Sequence, residues 1–310
     1  MSFETFIKSV EETKLLNERD KYLCLADHCT REWSGEIKKK GDSVTIYGLN
    51  RPTVYQLQAD GTYSDGIGTN SLKGKGRDIV QKGLPDAEEL TGYEINCPVN
   101  QMSVFNFMVG NIDEQQSSVK GILSKSRPKA AQEMAEQQDK YVRDVIVGTS
   151  ACRVTGDAYA SAIKLTSGVA GSGEINILDF IDEVVEQLKY NNVKDSEKIY
   201  GECSPAFIRR LKVALRGIDT NNSAIVRGRE VTTYNGIEFF STNIMKKAVG
   251  EEYAFLRTGD SVAFFDPLTE MVPYSPEKGF ADAVKGYTLY DAKVVDEKAC
   301  KFAQISGYAI

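Results

Sequence analysis

The chain has 310 residues, of which 41% are apolar and 26% are charged, as in ordinary folded proteins. The net charge of −6 excludes a broad basic surface for nucleic acid, so any contact with DNA would be local and non-specific. No run reaches the roughly 18 consecutive apolar residues of a membrane helix, and the first residues lack the basic and apolar regions of a signal peptide. We therefore expect no membrane contact and a protein that stays where it is made.

Six cysteines are scattered along the chain without a C-x-x-C pair. Cys24 and Cys29 lie close to His28, the only histidine, which raises a metal site as one interpretation. A zinc site needs about four ligands, however, and the sequence has no second cluster of ligands. We therefore interpret the cysteines as buried or half-buried thiols of a reducing compartment, and we predict no metal and no cofactor.

The first third of the chain is polar. Residues 1–34 are predicted to form a helical arm that ends near Trp33, the only tryptophan. Residues 43–47 alternate in the manner of a β-strand. Between residues 48 and 92, glycines punctuate a polar stretch that has few large apolar residues. Because such a stretch cannot bury a core of its own, we predict a long two-stranded loop that a partner orders.

A long helix is predicted between Ser126 and Gly148. Ser126 can cap its first turn, where the missing N–H of Pro128 costs nothing, and Gly148 provides a stop. At about 1.5 Å per residue, this helix is roughly 30 Å long. One face carries Ala131, Met134, Ala135, Gln138, Tyr141, Val142 and Val145. We interpret the helix as a spine across a sheet, in which a strand from residues 93–109 returns to pair with residues 43–47.

The second half of the chain contains the clearest local signals. Asn176 is predicted to cap an amphipathic helix, and Ser204-Pro205 to open a second one. Asn235-Gly236 has the turn signature of a β-hairpin. The small residues at 166–173 indicate a domain boundary. Strand-like segments then continue to residue 295, and we expect this closing part to pair with the sheet under the spine.

The sequence carries no catalytic constellation. His28 stands in a charged arm, which indicates a solvated residue rather than a general base. No nucleophile elbow, zinc-protease, Walker or dinucleotide-binding motif occurs. Asp179 and Asp182 lie near a helix N-terminus, where the helix dipole accounts for them without a metal. We therefore predict that the protein is not an enzyme.

Four segments resemble, in their order and spacing, parts of the major capsid proteins of tailed bacteriophages. Residues 36–46 (EIKKKGDSVTI) resemble the entry into the extended loop of that family. Residues 111–115 (NIDEQ) with 130–139 (AAQEMAEQQD) are similar to its approach to the spine helix. Residues 236–243 (GIEFFSTN) resemble the last strand of its axial domain, and residues 276–286 (PEKGFADAVKG) resemble its C-terminal return to the peripheral domain. The resemblance covers roughly residues 30 to 300.

This resemblance implies an α+β fold, the Hong Kong phage capsid fold, in four parts. They are an N-terminal arm (1–34), an extended loop (48–92), a peripheral domain (35–47, 93–170 and 258–310, with a spine helix at about 127–147) and an inserted axial domain (171–257). The predictions made above from residue patterns alone divide the chain in the same way.

The resemblance also implies a structural role. Members of the family self-assemble as hexamers and pentamers into an icosahedral shell that encloses double-stranded DNA. The expected partners are other copies of the chain, a separate scaffolding protein, a portal protein and the packaged DNA through non-specific contacts. The expected location is the virion capsid, assembled in the host cytoplasm and matured by rotation of whole subunits.

Inter-subunit contacts are expected at two places. Lys73, Lys75 and Arg77 belong to the extended loop, which in this family lies on the neighbouring subunit. Glu277, Lys278 and Asp282 belong to the segment that returns to the peripheral domain. The alternative that these last three residues simply cap a turn stays open.

Two other functions stay open. The first keeps the fold and changes the role, to a cellular encapsulating shell that stores a cargo enzyme. The second is an unrecognised cytoplasmic enzyme, which would be a monomer or small oligomer with a concave site.

Overall fold

The computed structural model describes residues 15, 17–32, 43–50, 52, 56–57, 63–64, 89–110, 122–216, 233–277 and 281–308. The helices are α1 (Ile122–Gly148), α2 (Ile177–Tyr190) and α3 (Pro205–Arg216). The strands are β1 (Ser43–Leu49), β2 (Gln56–Leu57), β3 (Tyr63–Ser64), β4 (Gly92–Pro98), β5 (Gln101–Gly110), β6 (Ile163–Thr166), β7 (Glu174–Asn176), β8 (Ile199–Cys203), β9 (Thr233–Tyr234), β10 (Ile237–Ser241), β11 (Lys246–Ala248), β12 (Glu251–Thr258), β13 (Val262–Tyr274), β14 (Ala281–Val294) and β15 (Cys300–Tyr308). The chain divides into two compact units, Val44–Cys97 and the remainder.

The smaller unit contains two pairs of strands. β1 pairs with β4, which confirms that the segment beginning near Tyr93 returns beside residues 43–47. β2 and β3 form a short antiparallel pair inside the predicted extended loop. Apart from residues 48–50, 52 and 89–92, the rest of that loop lies outside the described residues. The helix start predicted at residues 111–114 and the loop predicted near residues 217–229 lie outside them too.

An eight-stranded sheet forms the centre of the larger unit. Its order is β7-β6-β15-β12-β8-β10-β9, and β11 adds to β12. Along β12 the side chains alternate between the two faces, as the two-residue period of a strand requires. Ala254 and Leu256 pack into one core, whereas Phe255 packs into the other. The sheet is therefore buried on both faces.

Helices α2 and α3 cover the first face of this sheet. The Asn176 side chain caps α2 by accepting the Leu178 N–H at 2.8 Å. Ser204 Oγ accepts the Phe207 N–H at 3.2 Å where α3 begins. Both predicted helix starts are thus confirmed. The core beneath the helices includes Phe180, Ile181, Val184, Leu188, Phe207, Leu211, Ile237 and Phe239.

A three-stranded antiparallel sheet, in the order β13-β14-β5, packs against α1. The Ser103 hydroxyl on β5 donates to Gln137 Oε1 on α1 at 2.9 Å. The ring of Tyr141 on α1 meets Tyr290 on β14 edge to face, with 5.5 Å between the ring centroids. The predicted spine helix therefore crosses a sheet, and β14 returns to that sheet as expected.

The spine helix begins earlier than the sequence predicts. It starts at Ile122, so Pro128 lies inside the helix and not in its first turn. A proline at this position removes one backbone hydrogen bond and crowds the carbonyl four residues before it. Packing along the rest of the helix, where Ala131, Ala135 and Val142 are fully buried, offsets that local cost.

The last strand, β15, is absent from the sequence prediction, which ended the strand-like segments at residue 295. β15 instead lies between β6 and β12 in the eight-stranded sheet. Phe302 faces one core of this sheet, and Ala303 and Ile305 face the other. A strand that is apolar on both faces needs a central position. The loop at residues 167–173 joins two paired strands of this sheet, β6 and β7.

The close approach of the three strands at Gly286 provides a test of this packing. A Cβ at Gly286 would lie 2.5 Å from Cζ of Phe105 and 2.8 Å from the Glu270 carbonyl oxygen, and the latter belongs to backbone that cannot move aside. We expect Gly286→Ala to lower the free energy of unfolding by about 1–3 kcal/mol. Gly307→Ala is the matched control, because a Cβ there meets nothing within 4 Å. Urea unfolding of both variants measures the difference, and equal stabilities would contradict the close packing.

Candidate functional site

A short piece of the N-terminal arm is built into the core of the larger unit. We call residues 23–30 the arm segment. Leu25 and Ala26 in this segment are fully buried, and a 3₁₀ turn runs over Ala26–His28. The segment packs with Ala135, Val142 and Ile146 of α1 and with the second face of the eight-stranded sheet. Thr30 then joins β13 through hydrogen bonds to Val262 and Phe264 of 3.0 and 2.9 Å.

Asp139 of α1 fastens the arm segment to the spine. Its carboxylate accepts the backbone N–H groups of Cys24, Leu25 and Ala26 at 2.8, 3.1 and 2.9 Å. The N–H groups at the start of a helical turn have no partner within the turn, so a carboxylate at this position satisfies them. Burial raises the pKa of Asp139 to about 6, and nearby Glu202 adds to this effect, while the three N–H groups oppose it.

A buried ion pair fastens the same segment to the eight-stranded sheet. Arg257 on β12 and Glu202 on β8 are 0% and 1% exposed, and two hydrogen bonds of 2.7 and 3.0 Å join them. The remaining donors of Arg257 reach the carbonyl oxygens of Leu25 at 2.8 Å and His28 at 3.1 Å. Such a pair is tolerated in a core because both charged groups have their hydrogen bonds satisfied.

His28 completes this network. Its Nδ1 lies 2.9 Å from Oε1 of Glu202, and its ring stacks on Tyr200 with 4.4 Å between the centroids. Phe240 contacts the ring from another side. The His28 side chain is only 13% exposed, so the interpretation of His28 as a solvated residue was wrong. No local signal could have revealed this, because Glu202 is 174 residues away in the sequence.

The chemistry of this network is structural. Its two fully buried charged groups, Arg257 and Glu202, are paired with each other. Among the described residues, no three metal-ligating side chains come together. All six cysteines are free thiols, five buried and Cys24 half-buried, which confirms the interpretation from the sequence. Burial raises the pKa of the Cys29 thiol to about 11, although Arg257 acts in the opposite direction. None of the described helices has the length and apolar character of a membrane span.

The inter-subunit residues predicted from the sequence are not brought together at this network. Lys73, Lys75, Arg77 and Lys278 lie outside the described residues. Glu277 is exposed just after β13, and Asp282 is exposed on β14, where it is opposite Val109 of β5. Their role at a contact between subunits stays a prediction. Sequence reasoning missed Asp139, Glu202 and Arg257, which carry the buried network.

The fold is shared with shell proteins of known structure. A structure from Mycobacterium phage Che8 is similar over 90% of this chain and 90% of that chain, with a TM-score of 0.63 and 15% sequence identity. The capsid of cyanophage P-SCSP1u is similar over 90% and 86% of the two chains, with a TM-score of 0.60 and 14% identity. The holo-SrpI encapsulin complex of Synechococcus elongatus covers 71% and 80%, with a TM-score of 0.50 and 11% identity.

These likenesses confirm at the level of the fold the resemblance that the sequence segments indicate: the chain has the α+β fold of phage capsid proteins. The sequence itself matches no protein-family model, and no curated protein shows significant sequence similarity to it. The likeness is therefore one of structure at low sequence identity.

Removing one member of the buried ion pair is expected to be costly. Arg257→Met leaves Glu202 buried without its main partner and should lower the free energy of unfolding by about 3–5 kcal/mol. The double variant Arg257→Met/Glu202→Leu should lose less than the sum of the two single variants. Lys164→Met, which breaks the exposed pair with Glu174, should cost less than about 1 kcal/mol. Chemical unfolding of Arg257→Met, Glu202→Leu, the double variant and Lys164→Met measures these values. If the losses in unfolding free energy of the two single variants add up to that of the double variant, the pair does not act as a unit.

Because the pKa of Asp139 is raised to about 6, we expect the free energy of unfolding to depend on pH. Between about pH 4 and 6 the folded chain keeps a proton that the unfolded chain has released, since a free aspartate has a pKa near 4. The contribution of Asp139 to stability is therefore fully present below about pH 4 and is lost as the pH rises through 6. The pH range to compare is thus 4 to 7.

Asp139→Asn removes this titration. The unfolding free energy of the variant should fall less than that of the wild type as the pH rises from 4 to 7. At every pH the variant should be less stable, because an amide cannot accept all three N–H groups. Asp157→Asn, at an exposed position, controls for the loss of a charge. Parallel pH profiles for the wild type and Asp139→Asn would refute the assignment.

Proposed function

We propose that this chain is a structural shell protein, the major capsid protein of a tailed double-stranded DNA bacteriophage. Copies of it self-assemble as hexamers and pentamers into an icosahedral shell. The observation that carries the proposal is the likeness to phage structures over about nine-tenths of both chains. The role is structural and not enzymatic, in keeping with a buried network whose charges serve packing.

The proposed partners follow from this role. A separate scaffolding protein guides assembly, a portal protein occupies one vertex, and the shell encloses double-stranded DNA. With a net charge of −6 the subunit holds DNA through local, non-specific contacts. Its location is the virion capsid, assembled in the host cytoplasm. The four-part division into arm, extended loop, peripheral domain and axial domain, and the contacts of Lys73, Lys75, Arg77, Glu277, Lys278 and Asp282, belong to the same proposal.

The likeness to an encapsulin complex favours a second candidate function, a cellular shell that stores a cargo enzyme. This candidate keeps the self-assembly and changes the contents. The content of shells purified from the native source separates the two functions: double-stranded DNA supports the phage capsid, and a co-purifying enzyme supports the storage shell.

Particle size tests both candidates at once. The full chain is expressed alone and with a candidate scaffolding protein, and the products are examined by light scattering and negative-stain microscopy. We expect closed shells, sheets or tubes hundreds of ångströms across, because each contact is weak and many copies are needed for a stable assembly. A monomer or dimer at high concentration under both conditions would overturn the proposal of a shell protein.

A further inference from the structure

Helix α2 presents a ridge of negative charge to the solvent. Its fourteen residues include four carboxylates and one lysine. The carboxylates all belong to exposed residues: Asp179, Asp182, Glu183 and Glu186. We call these four residues the acidic ridge. Asp182 and Glu183 accept hydrogen bonds only from the neutral groups of Asn235 and Tyr159, and among the described residues none of the four forms an ion pair.

Helix α3 has the opposite character. Its twelve residues include three arginines, one lysine and no carboxylate, in a chain whose net charge is −6. Arg209 is exposed and Arg210 is half-exposed, and within the described part of the chain neither has a carboxylate partner. We call Arg209 and Arg210 the basic ridge.

The two ridges lie side by side on one face of one sheet without neutralising each other. α2 contacts β7 and β15, towards the β7 edge, and α3 contacts β10, towards the opposite edge. The helices share a core, in which Phe180 of α2 meets Phe207 of α3 with 6.2 Å between the ring centroids. Although the helices are neighbours, no ion pair joins the acidic ridge to Arg209 or Arg210 in the described structure. Negative charge is therefore displaced towards the β7 edge of the sheet and positive charge towards the β9 edge.

From this arrangement we infer that the acidic ridge of one copy of the chain contacts the basic ridge of the next copy. The occupant of each ridge is thus a second copy of this chain, in a head-to-tail order. A ring of identical subunits requires such an order, because each subunit must offer two different surfaces that fit each other. A two-fold pairing of the same ridges would close at two copies and could not extend into a ring. The inference rests on the proposed function, since it assigns one contact within the capsomer.

Charge complementarity between ridges also suits reversible assembly. Exposed ion pairs are individually weak, and their main effects are to orient approaching partners and to exclude wrong arrangements. A contact that joins several charges on each side selects the neighbouring copy and its orientation. A single copy that binds in a wrong arrangement can still dissociate. The packed sheet beneath the two helices holds both ridges in place before the copies meet.

Charge reversal in the full chain tests this contact. Arg209→Glu/Arg210→Glu makes both ridges acidic. Asp179→Lys/Asp182→Lys/Glu186→Lys makes both ridges basic, because three lysines then outweigh the remaining Glu183. None of these residues takes part in the core, so both variants should keep the circular dichroism spectrum of the wild type. The thermal midpoint of the basic variant should fall slightly, because lysines replace carboxylates that interact favourably with the N-terminus of α2. Under conditions in which the wild type forms particles, we expect each variant alone to form at least about tenfold fewer.

The equimolar mixture of the two variants gives the decisive readout. In an alternating order every contact again joins opposite charges, so the mixture should recover assembly. A five-membered ring cannot alternate completely, so we expect sheets or tubes of hexamers rather than closed shells. Lys194→Glu/Lys293→Glu reverses two exposed lysines outside the basic ridge and should assemble like the wild type.

The outcomes are distinguishable. Wild-type yields for both reversed variants, failure of the mixture, or an equal loss in the Lys194/Lys293 control would each overturn the paired ridges and leave the proposed shell function standing. A wild-type chain that forms no particles would overturn the proposed function itself.

Discussion

The buried pair of Arg257 and Glu202 is the interaction on which the rest of the larger unit depends. Two opposite charges lie in the core, and they are stable there only because every strong donor and acceptor around them has a partner. Those partners come from different parts of the chain: β8, β12 and the carbonyl groups of the arm segment. Displacing the arm segment would therefore remove two acceptors from a buried guanidinium, which makes the segment part of the core.

The eight-stranded sheet explains why such a network is needed. Because the sheet is covered on both faces, its central strands are almost continuously buried, and polar groups on them need specific partners. On one face α2 and α3 supply an apolar cover. On the other face the cover is assembled from α1 and the arm segment, and Asp139 holds these two together through three backbone N–H groups. Packing and hydrogen bonding thus fasten the spine, the arm segment and the sheet as one body.

This architecture suits the proposed role, in which each copy occupies a fixed place in a large assembly. The rigid interior uses its charged groups for internal fastening. The outer surface of the same sheet layer carries the acidic ridge on α2 and the basic ridge on α3, which the proposed contact between copies would join. A shell built from many weak contacts needs subunits that keep their shape while their contacts form and break, and the division between inner and outer charges meets that need.

The sequence by itself determined the features whose causes lie within a few residues: the Asn176 cap of α2, the start of α3 at Pro205, and the Asn235-Gly236 turn, where both residues adopt positive φ. The order of its segments was also sufficient to indicate the capsid fold. Tertiary structure decided the start of α1 at Ile122, the central position of β15 and the burial of His28. Each of these depends on partners distant in the sequence, such as Arg257 and Glu202, which are 55 residues apart and meet only in the folded sheet. Local propensity cannot encode such contacts, because packing between distant segments outweighs it.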